Sequence, residues 1–196
     1  MTVPITKLYK NMRPGVNALR SPTYPEMIEI VNDRVVDFEE YRFDADAVRN
    51  AIENYAFTNG RPITKSMLAW WVYNDEKQQL ISLDVALEIE HVFSRKRQEN
   101  EGSLTDKNNL ESLGNKILLE KNINIRASDY RFSDKKKYYN GFTNDKGKYK
   151  VGTQNAELVM MAKQKDDFCE KDIVVRKKAI VDAFIGYLKR NKLTIE

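Results

Sequence analysis

From Leu87 to Phe93 the chain reads Leu-Glu-Ile-Glu-His-Val-Phe. Apolar and acidic residues alternate there with the period of two that a strand imposes. The alternation ends at His91, the single histidine among 196 residues. The stretch from Ser94 to Asn109 is polar, with Leu104 its one apolar residue, and reads as a loop. A second strand is expected from Asn115 to Leu119, so the two runs form a long-looped hairpin. Most of the remaining chain carries helical spacing. The expected class is therefore α+β, mostly helical, with a small strand-rich core packed among helices.

The helices can be placed in turn. Residues 1–24 hold Pro4, Pro14 and Pro22 with Gly15 and read as an irregular lead-in. A short helix is expected between Pro25 and Tyr41. Asp44 or Asp46 caps a clearer one, whose apolar face is Val48, Ala51, Ile52, Tyr55 and Ala56 and which ends at Asn59-Gly60. Pro62 and Thr64 open the next, which runs through Trp70 and Trp71 to Tyr73. The two tryptophans fit a buried core better than a base-stacking platform, because their neighbours are apolar at helical spacing. Tyr130 to Phe142 holds a helix with Ser133 as its cap. Asn144 to Gly152 is a basic turn, and Gln154 to Lys163 a further helix. The last helix, Glu170 to Arg190, places Ile173, Val174, Ile180, Phe184, Tyr187 and Leu188 on one side. Its acids lie at the start and its bases at the end, as the macrodipole favours.

Cys169 is the only cysteine, so an internal disulfide and a C-x-x-C metal cluster are both excluded. A metal would have to be held by oxygen ligands, with or without His91. No signal peptide and no membrane span are read, and the expected location is cytoplasmic. Charge is divided unevenly: residues 1–90 carry 10 Lys and Arg against 14 Asp and Glu, residues 91–196 carry 23 against 15. The basic half begins at the histidine. Such an excess attracts polyanions, nucleic acid above all, although a solvated lysine-rich surface has the same composition.

Glu90-His91 has the chemistry for phosphodiester cleavage. A histidine near neutral pKa can deprotonate a water. A hard divalent cation on a few oxygens can serve the phosphate and the leaving group. Strand neighbours ordinarily face opposite ways. At a strand end or bulge both can reach one ion, and that geometry is expected here.

Four motifs in order carry a resemblance to a known family. They are Ile89-Glu90-His91, Leu113-Gly114-Asn115 with Ile117-Leu118-Leu119, the segment Asn124-Ile125-Arg126-Ala127-Ser128-Asp129-Tyr130-Arg131-Phe132-Ser133-Asp134-Lys135-Lys136, and Phe168-Cys169-Glu170-Lys171-Asp172-Ile173-Val174-Val175-Arg176. The pattern resembles the HNH endonucleases, and more closely the C-terminal nuclease domain of GmrSD-type restriction enzymes, from about Ser66 to about Leu193. The resemblance implies a ββα-metal (His-Me finger) core at about 87–142 and C-terminal helices at 154–192. Both belong to a nuclease domain spanning 65–196, after a lead-in spanning 1–64. It implies that His91 is the general base and that Asn115 braces the hairpin and orients it. It implies that Glu90 and Asn124 hold one Mg²⁺ or Mn²⁺, with Asn122 the substitute if the register slips by two. Lys135 and Lys136 become phosphate contacts. Arg95, Lys96, Arg97, Lys116, Lys146, Lys148 and Lys150 complete the expected DNA-binding set.

Two departures stand out. The residues after His91 are Val92-Phe93-Ser94-Arg95 where the family has Ile/Val-x-Pro-Gln, and Lys116 stands where it has an apolar residue. No DGQQR-type motif or phosphate loop is found, so the chain is expected to be either the nuclease portion of a larger protein or a small standalone relative, with a sensor or nucleotide-using N-terminal region or subunit as the expected partner. The expected function is a divalent-metal-dependent DNA endonuclease in restriction or phage defence. Its rivals are a non-catalytic DNA-binding module on the same scaffold and a helical interaction domain.

Overall fold

The computed structural model describes residues 42–81 and 84–195. The lead-in and the helix expected before Tyr41 lie outside the described residues. The described residues form two units, one of residues 42–51 with 184–195, the other of the described residues between 52 and 183. Within the first, Phe43 bridges Thr194 in parallel, with backbone bonds to Leu193 (2.8 Å) and Ile195 (2.9 Å).

Seven helices and two two-stranded sheets are found among the described residues, so the class is α+β and mostly helical. Helix α1 (Ala45–Glu53) starts where Asp44 accepts bonds from the N–H groups of Asp46 and Ala47. It stops short of Asn59-Gly60. Tyr55, expected within it, instead packs edge-on against Phe57 (4.8 Å) and bonds Arg61. Helix α2 (Pro62–Tyr73) opens with its proline in the first turn and buries Thr64, Met67, Leu68 and Val72. Trp70 and Trp71 are half-buried, and the Trp71 indole donates to Glu157 (2.9 Å).

Strand β1 (Leu87–His91) pairs antiparallel with β2 (Lys116–Glu120), from Leu87 opposite Glu120 to His91 opposite Lys116. The expected hairpin is present, but its connection is not a plain loop. It holds α3 (Arg95–Glu101), a 3-10 turn at Lys107–Glu111 and another at Leu113–Asn115. Helix α3 has no apolar residue, so periodicity could not reveal it. Its ends are nevertheless signalled: Ser94 accepts from the Arg97 N–H (3.1 Å), and Gly102 takes the left-handed conformation that ends the helix (φ 59°).

Helices α4 (Lys121–Ala127) and α5 (Phe132–Asn140) follow β2 directly. The cap of α5 is Arg131, not Ser133, which lies inside the first turn. The basic turn is a small hairpin, β3 (Phe142–Thr143) with β4 (Tyr149–Lys150). Helix α6 (Ala156–Gln164) is capped by Asn155, and α7 (Glu170–Arg190) has the bounds expected. Val174 and Tyr187, expected on its apolar side, face solvent, while Ile173, Ile180, Val181 and Leu188 are buried.

The core of the second unit lies around β2, which is buried at every residue. Ile117 and Leu119 pack with Val92, Phe93, Ile123, Phe132, Leu158 and Phe168, among others. Each large side chain buried this way contributes about 1.5–3 kcal/mol.

A strand buried along its length needs partners for its polar groups. Arg176 of α7 donates to the carbonyls of Leu113 (2.9 Å), Gly114 (3.2 Å) and Lys116 (2.6 Å), and pairs with Glu157 through two nitrogens (2.7 and 2.9 Å). Gly114 is required by the close approach of α7: a Cβ there would lie 2.0 Å from the Ile173 carbonyl oxygen. Glu120 accepts from Thr153 and the Gln154 N–H, both at 2.6 Å.

On the other side of the hairpin, Lys135 of α5 is fully buried. Its Nζ donates to Glu90 (2.6 Å) and to the His91 carbonyl (2.9 Å), and the Tyr139 hydroxyl donates to the same Glu90 oxygen (2.9 Å). Burial raises the Glu90 pKa, against the pull of Lys135 and Tyr139. Truncating Glu90 strands the Lys135 ammonium in the core. Glu90→Ala is expected to lose about 3–5 kcal/mol of stability in urea unfolding, and Glu90→Gln with Lys135→Met should recover most of it. An unchanged midpoint for Glu90→Ala would show that the pair does not anchor α5.

Candidate active site

The ladder stays regular through His91, so Glu90 and His91 point to opposite faces. His91 does stand at the strand end, as expected, but the register is regular up to it and no bulge turns both side chains toward one ion. Glu90 is buried against α5. His91 faces the other side, where its surroundings come from the connection and from the segment before α2.

Glu111, in the 3-10 turn, is the centre of that surrounding. Its Oε1 lies 3.3 Å from His91 Nε2 and 3.2 Å from an Arg95 nitrogen; its Oε2 accepts from Lys116 Nζ at 2.6 Å. Lys116 is fully buried and also donates to Asn59 Oδ1 (2.6 Å). Asn59 in turn donates to the Ile89 carbonyl (3.3 Å), so it is fastened to β1. The His91 side chain keeps 10% of its surface exposed, so a water can reach it.

The electrostatics hold His91 uncharged. Burial, then the Lys116 charge and that of Arg95, push its pKa from 6.5 down to about 3, and Glu111 only partly opposes them. For Glu111, burial works upward, but the Lys116 bond and the neighbouring positive charges win and hold its carboxylate below the usual range. Burial also lowers Lys116, with Glu111 opposing. At neutral pH the site is thus a neutral imidazole against an ionised carboxylate. An ionised carboxylate can only accept, so the 3.3 Å contact is a hydrogen bond in the tautomer that carries its proton on Nε2, which leaves the lone pair on Nδ1.

Asn115 sits at the root of the hairpin, fully buried. Its Oδ1 accepts from the Phe93 N–H (2.7 Å), and its Nδ2 donates to the carbonyls of Phe93 and Leu110, both at 3.0 Å. It touches nothing in the His91 cluster but locks the backbone two residues beyond it. Asn124 lies on α4, where its amide donates to Glu88 (3.0 Å). Asn122 is exposed at the start of the same helix.

The expected DNA-binding residues divide by burial. Lys116 and Lys135 are fully enclosed, each with a carboxylate partner, and present no charge to a polyanion. Arg97 is bound to Glu101 and Asp167 and lies over the Phe93 ring (4.7 Å). Lys136 reaches Asp166 (3.4 Å). Arg95, Lys96, Lys146 and Lys148 are exposed, and Lys150 is half-buried.

The ligands expected for a divalent ion do not fit one as arranged. The Glu90 carboxylate is taken up by an ammonium and a phenol, and Asn124 is bonded to a different acid. Among the described residues, no group of three or more His, Cys, Asp or Glu converges. Glu111 and Asn59 are not among the residues that sequence pattern points to. Glu111 stands two residues before Leu113-Gly114-Asn115 in a stretch without periodicity, and Asn59 was read only as the end of a helix. The signal available was Lys116: a lysine in place of an apolar strand residue must find a counter-charge.

No curated protein and no solved structure matches the chain. Residues 38–183 match the family described as GmrSD restriction endonucleases, C-terminal domain. The match begins earlier than the resemblance read from the motifs, and it covers all four of them. The family is one of nucleases, and its domains generally use divalent metal ions. With well over half of its length matched, this chain belongs to the C-terminal domain family of the GmrSD restriction endonucleases.

Proposed function

We propose that the chain is a DNA endonuclease in which His91 is the general base. The observation that supports this is the His91–Glu111 pair in a chain that belongs to a restriction-endonuclease family. The attacking water gives its proton to Nδ1 of His91. Its oxygen bonds to phosphorus as the bond to the leaving oxygen breaks, and the leaving oxygen takes a proton from solvent while the imidazolium later returns its own. The imidazolium so formed is stabilised by the Glu111 carboxylate, which also fixes the ring.

Arg95 supplies the phosphate contact beside the base. Its side chain is 48% exposed, and Glu111 engages one of its nitrogens. A base with a pKa near 3 is weak. Burial is the largest cause of that depression, and the phosphate diester, by bringing a negative charge to Arg95, offsets the positive field that adds to it. Substrate binding therefore raises the His91 pKa toward the value at which a base works best. Restriction or defence against foreign DNA is the biological role proposed, with Mg²⁺ or Mn²⁺ as the ion to test.

Plasmid cleavage across a metal series, by wild type and by His91→Ala, tests the assignment. The variant should lose at least about a hundredfold in rate with its fold intact by circular dichroism; equal cleavage by the two would remove His91 from the chemistry.

The pH dependence is specific to this electrostatic arrangement. The acid limb of kcat/KM, which reports the free protein, should lie well below 6.5, and the limb of kcat should lie above that of kcat/KM. A shared limb near 6.5 would contradict the depressed imidazole. Because the folded pKa is the lower one, the unfolded chain takes the proton first. Stability from this group is therefore full above about 6.5 and lost as pH falls toward 3.

Arg95→Ala should weaken duplex binding and lower its salt slope by about 0.9. An unchanged slope would place the phosphate elsewhere.

A further inference from the structure

One surface is not used by the His91 cluster. From Arg126 to Lys150, eight Lys and Arg stand against three Asp. Lys135 of that set is buried under Glu90, but Lys137, Lys146 and Lys148 are exposed. Aromatic rings are interleaved with these charges. Tyr130, just before α5, stacks on Tyr138 of that helix, with centroids 6.5 Å apart and planes within 16°. Tyr138 meets Phe142 of β3 edge-on at 5.3 Å, and the Lys137 ammonium lies 5.0 Å from the Tyr138 ring centre.

Tyr130 keeps 52% of its surface exposed while its ring neighbours Tyr138. Tyr149 of β4, between Lys148 and Lys150, is 59% exposed, and its hydroxyl lies against Gly141 at the end of α5.

We infer that Tyr130, stacked on Tyr138 whose ring carries the Lys137 ammonium, is a stacking platform for an unpaired base of the DNA substrate. A duplex offers its phosphates to lysines but keeps its bases stacked on one another, so an exposed aromatic ring adds nothing to duplex contact. An unpaired base offers a π-face of any sequence, and basic residues around it hold the strand. Lysines alone would serve a phosphate backbone; the exposed ring is what selects an unpaired nucleotide.

Helix α5 connects the platform to the chemistry. Tyr138 stands one turn after Lys135 on this helix, and Lys135 donates to the His91 carbonyl (2.9 Å). A base held at Tyr130 is thus held by the helix that supports the strand end carrying His91. This inference rests on the nuclease reading for its choice of DNA.

Fluorescence anisotropy of the full chain, in chelator, would compare a short single-stranded oligonucleotide with the duplex of the same sequence. Tyr130→Ala should weaken single-strand binding by about tenfold or more and duplex binding by less than twofold, and Tyr130→Phe should restore it. Equal binding by wild type and Tyr130→Ala, or an equal loss on both DNAs, overturns the platform. Tyr130→Phe also checks that loss of fold is not the cause. Cleavage is scored separately. A single-strand defect in Tyr130→Ala supports the platform even if the wild type cuts no DNA, in which case the nuclease reading alone has failed. Intact single-strand binding in a variant of a protein that does cut DNA defeats the platform alone.

Discussion

A two-stranded ribbon is marginal in water, and here one of its strands is buried from end to end. The second unit is arranged to make that burial possible. Each polar group on β2 or its approaches needs a partner inside the protein, because an unpaired one costs about 1–3 kcal/mol. Arg176 takes three carbonyls, Asn115 closes the root, Thr153 and the backbone of Gln154 take Glu120, and Asn155 takes the Leu118 carbonyl. Among the described residues, no buried side-chain nitrogen or oxygen is left without a partner. The rigidity of His91 follows, since it is the last residue of a ladder locked at both its ends.

The two neighbours at that strand end have divided roles. Glu90 anchors a helix through a buried ammonium and a phenol; His91 faces a half-open cluster of opposite charges. Alternation in a regular strand is enough to separate them. The same alternation explains Lys116. It stands opposite His91 and is buried on the histidine's side, so its charge needs Glu111 and Asn59, and in finding them it depresses the histidine's pKa. A residue that departs from the family pattern thereby sets the electrostatics of the site.

Much of the fold was legible because periodicity reported it. Helix α7 was placed to the residue, and α2 and the strand pair nearly so, since each buries a regular face. Helix α3 was hidden because it buries no apolar stripe, and α1 was read too long because Tyr55 continues its spacing while packing on Phe57. The motifs that carry the family resemblance are mostly structural. Gly114 lets α7 approach, Asn115 pins the hairpin, Arg176 joins them, and Glu170 accepts the N–H groups of Thr105 and Asp106, which helps pull its pKa to about 2. Such residues signal a fold well and a mechanism poorly. His91 was legible as the one histidine at a strand end. Glu111 was not, because its place beside His91 depends on where an aperiodic turn folds back.

We propose that Glu90 supports the site while His91 performs its chemistry. The direct measurement is the plasmid cleavage rate of Glu90→Gln with Lys135→Met, a variant that replaces the buried ion pair by uncharged side chains of similar size. If Glu90 is an anchor, this double variant folds and cuts DNA within about tenfold of wild type. A folded double variant that has lost cleavage, with loss of bound Mn²⁺ in calorimetry, would show that the Glu90 carboxylate is needed at the phosphate and contradict the account.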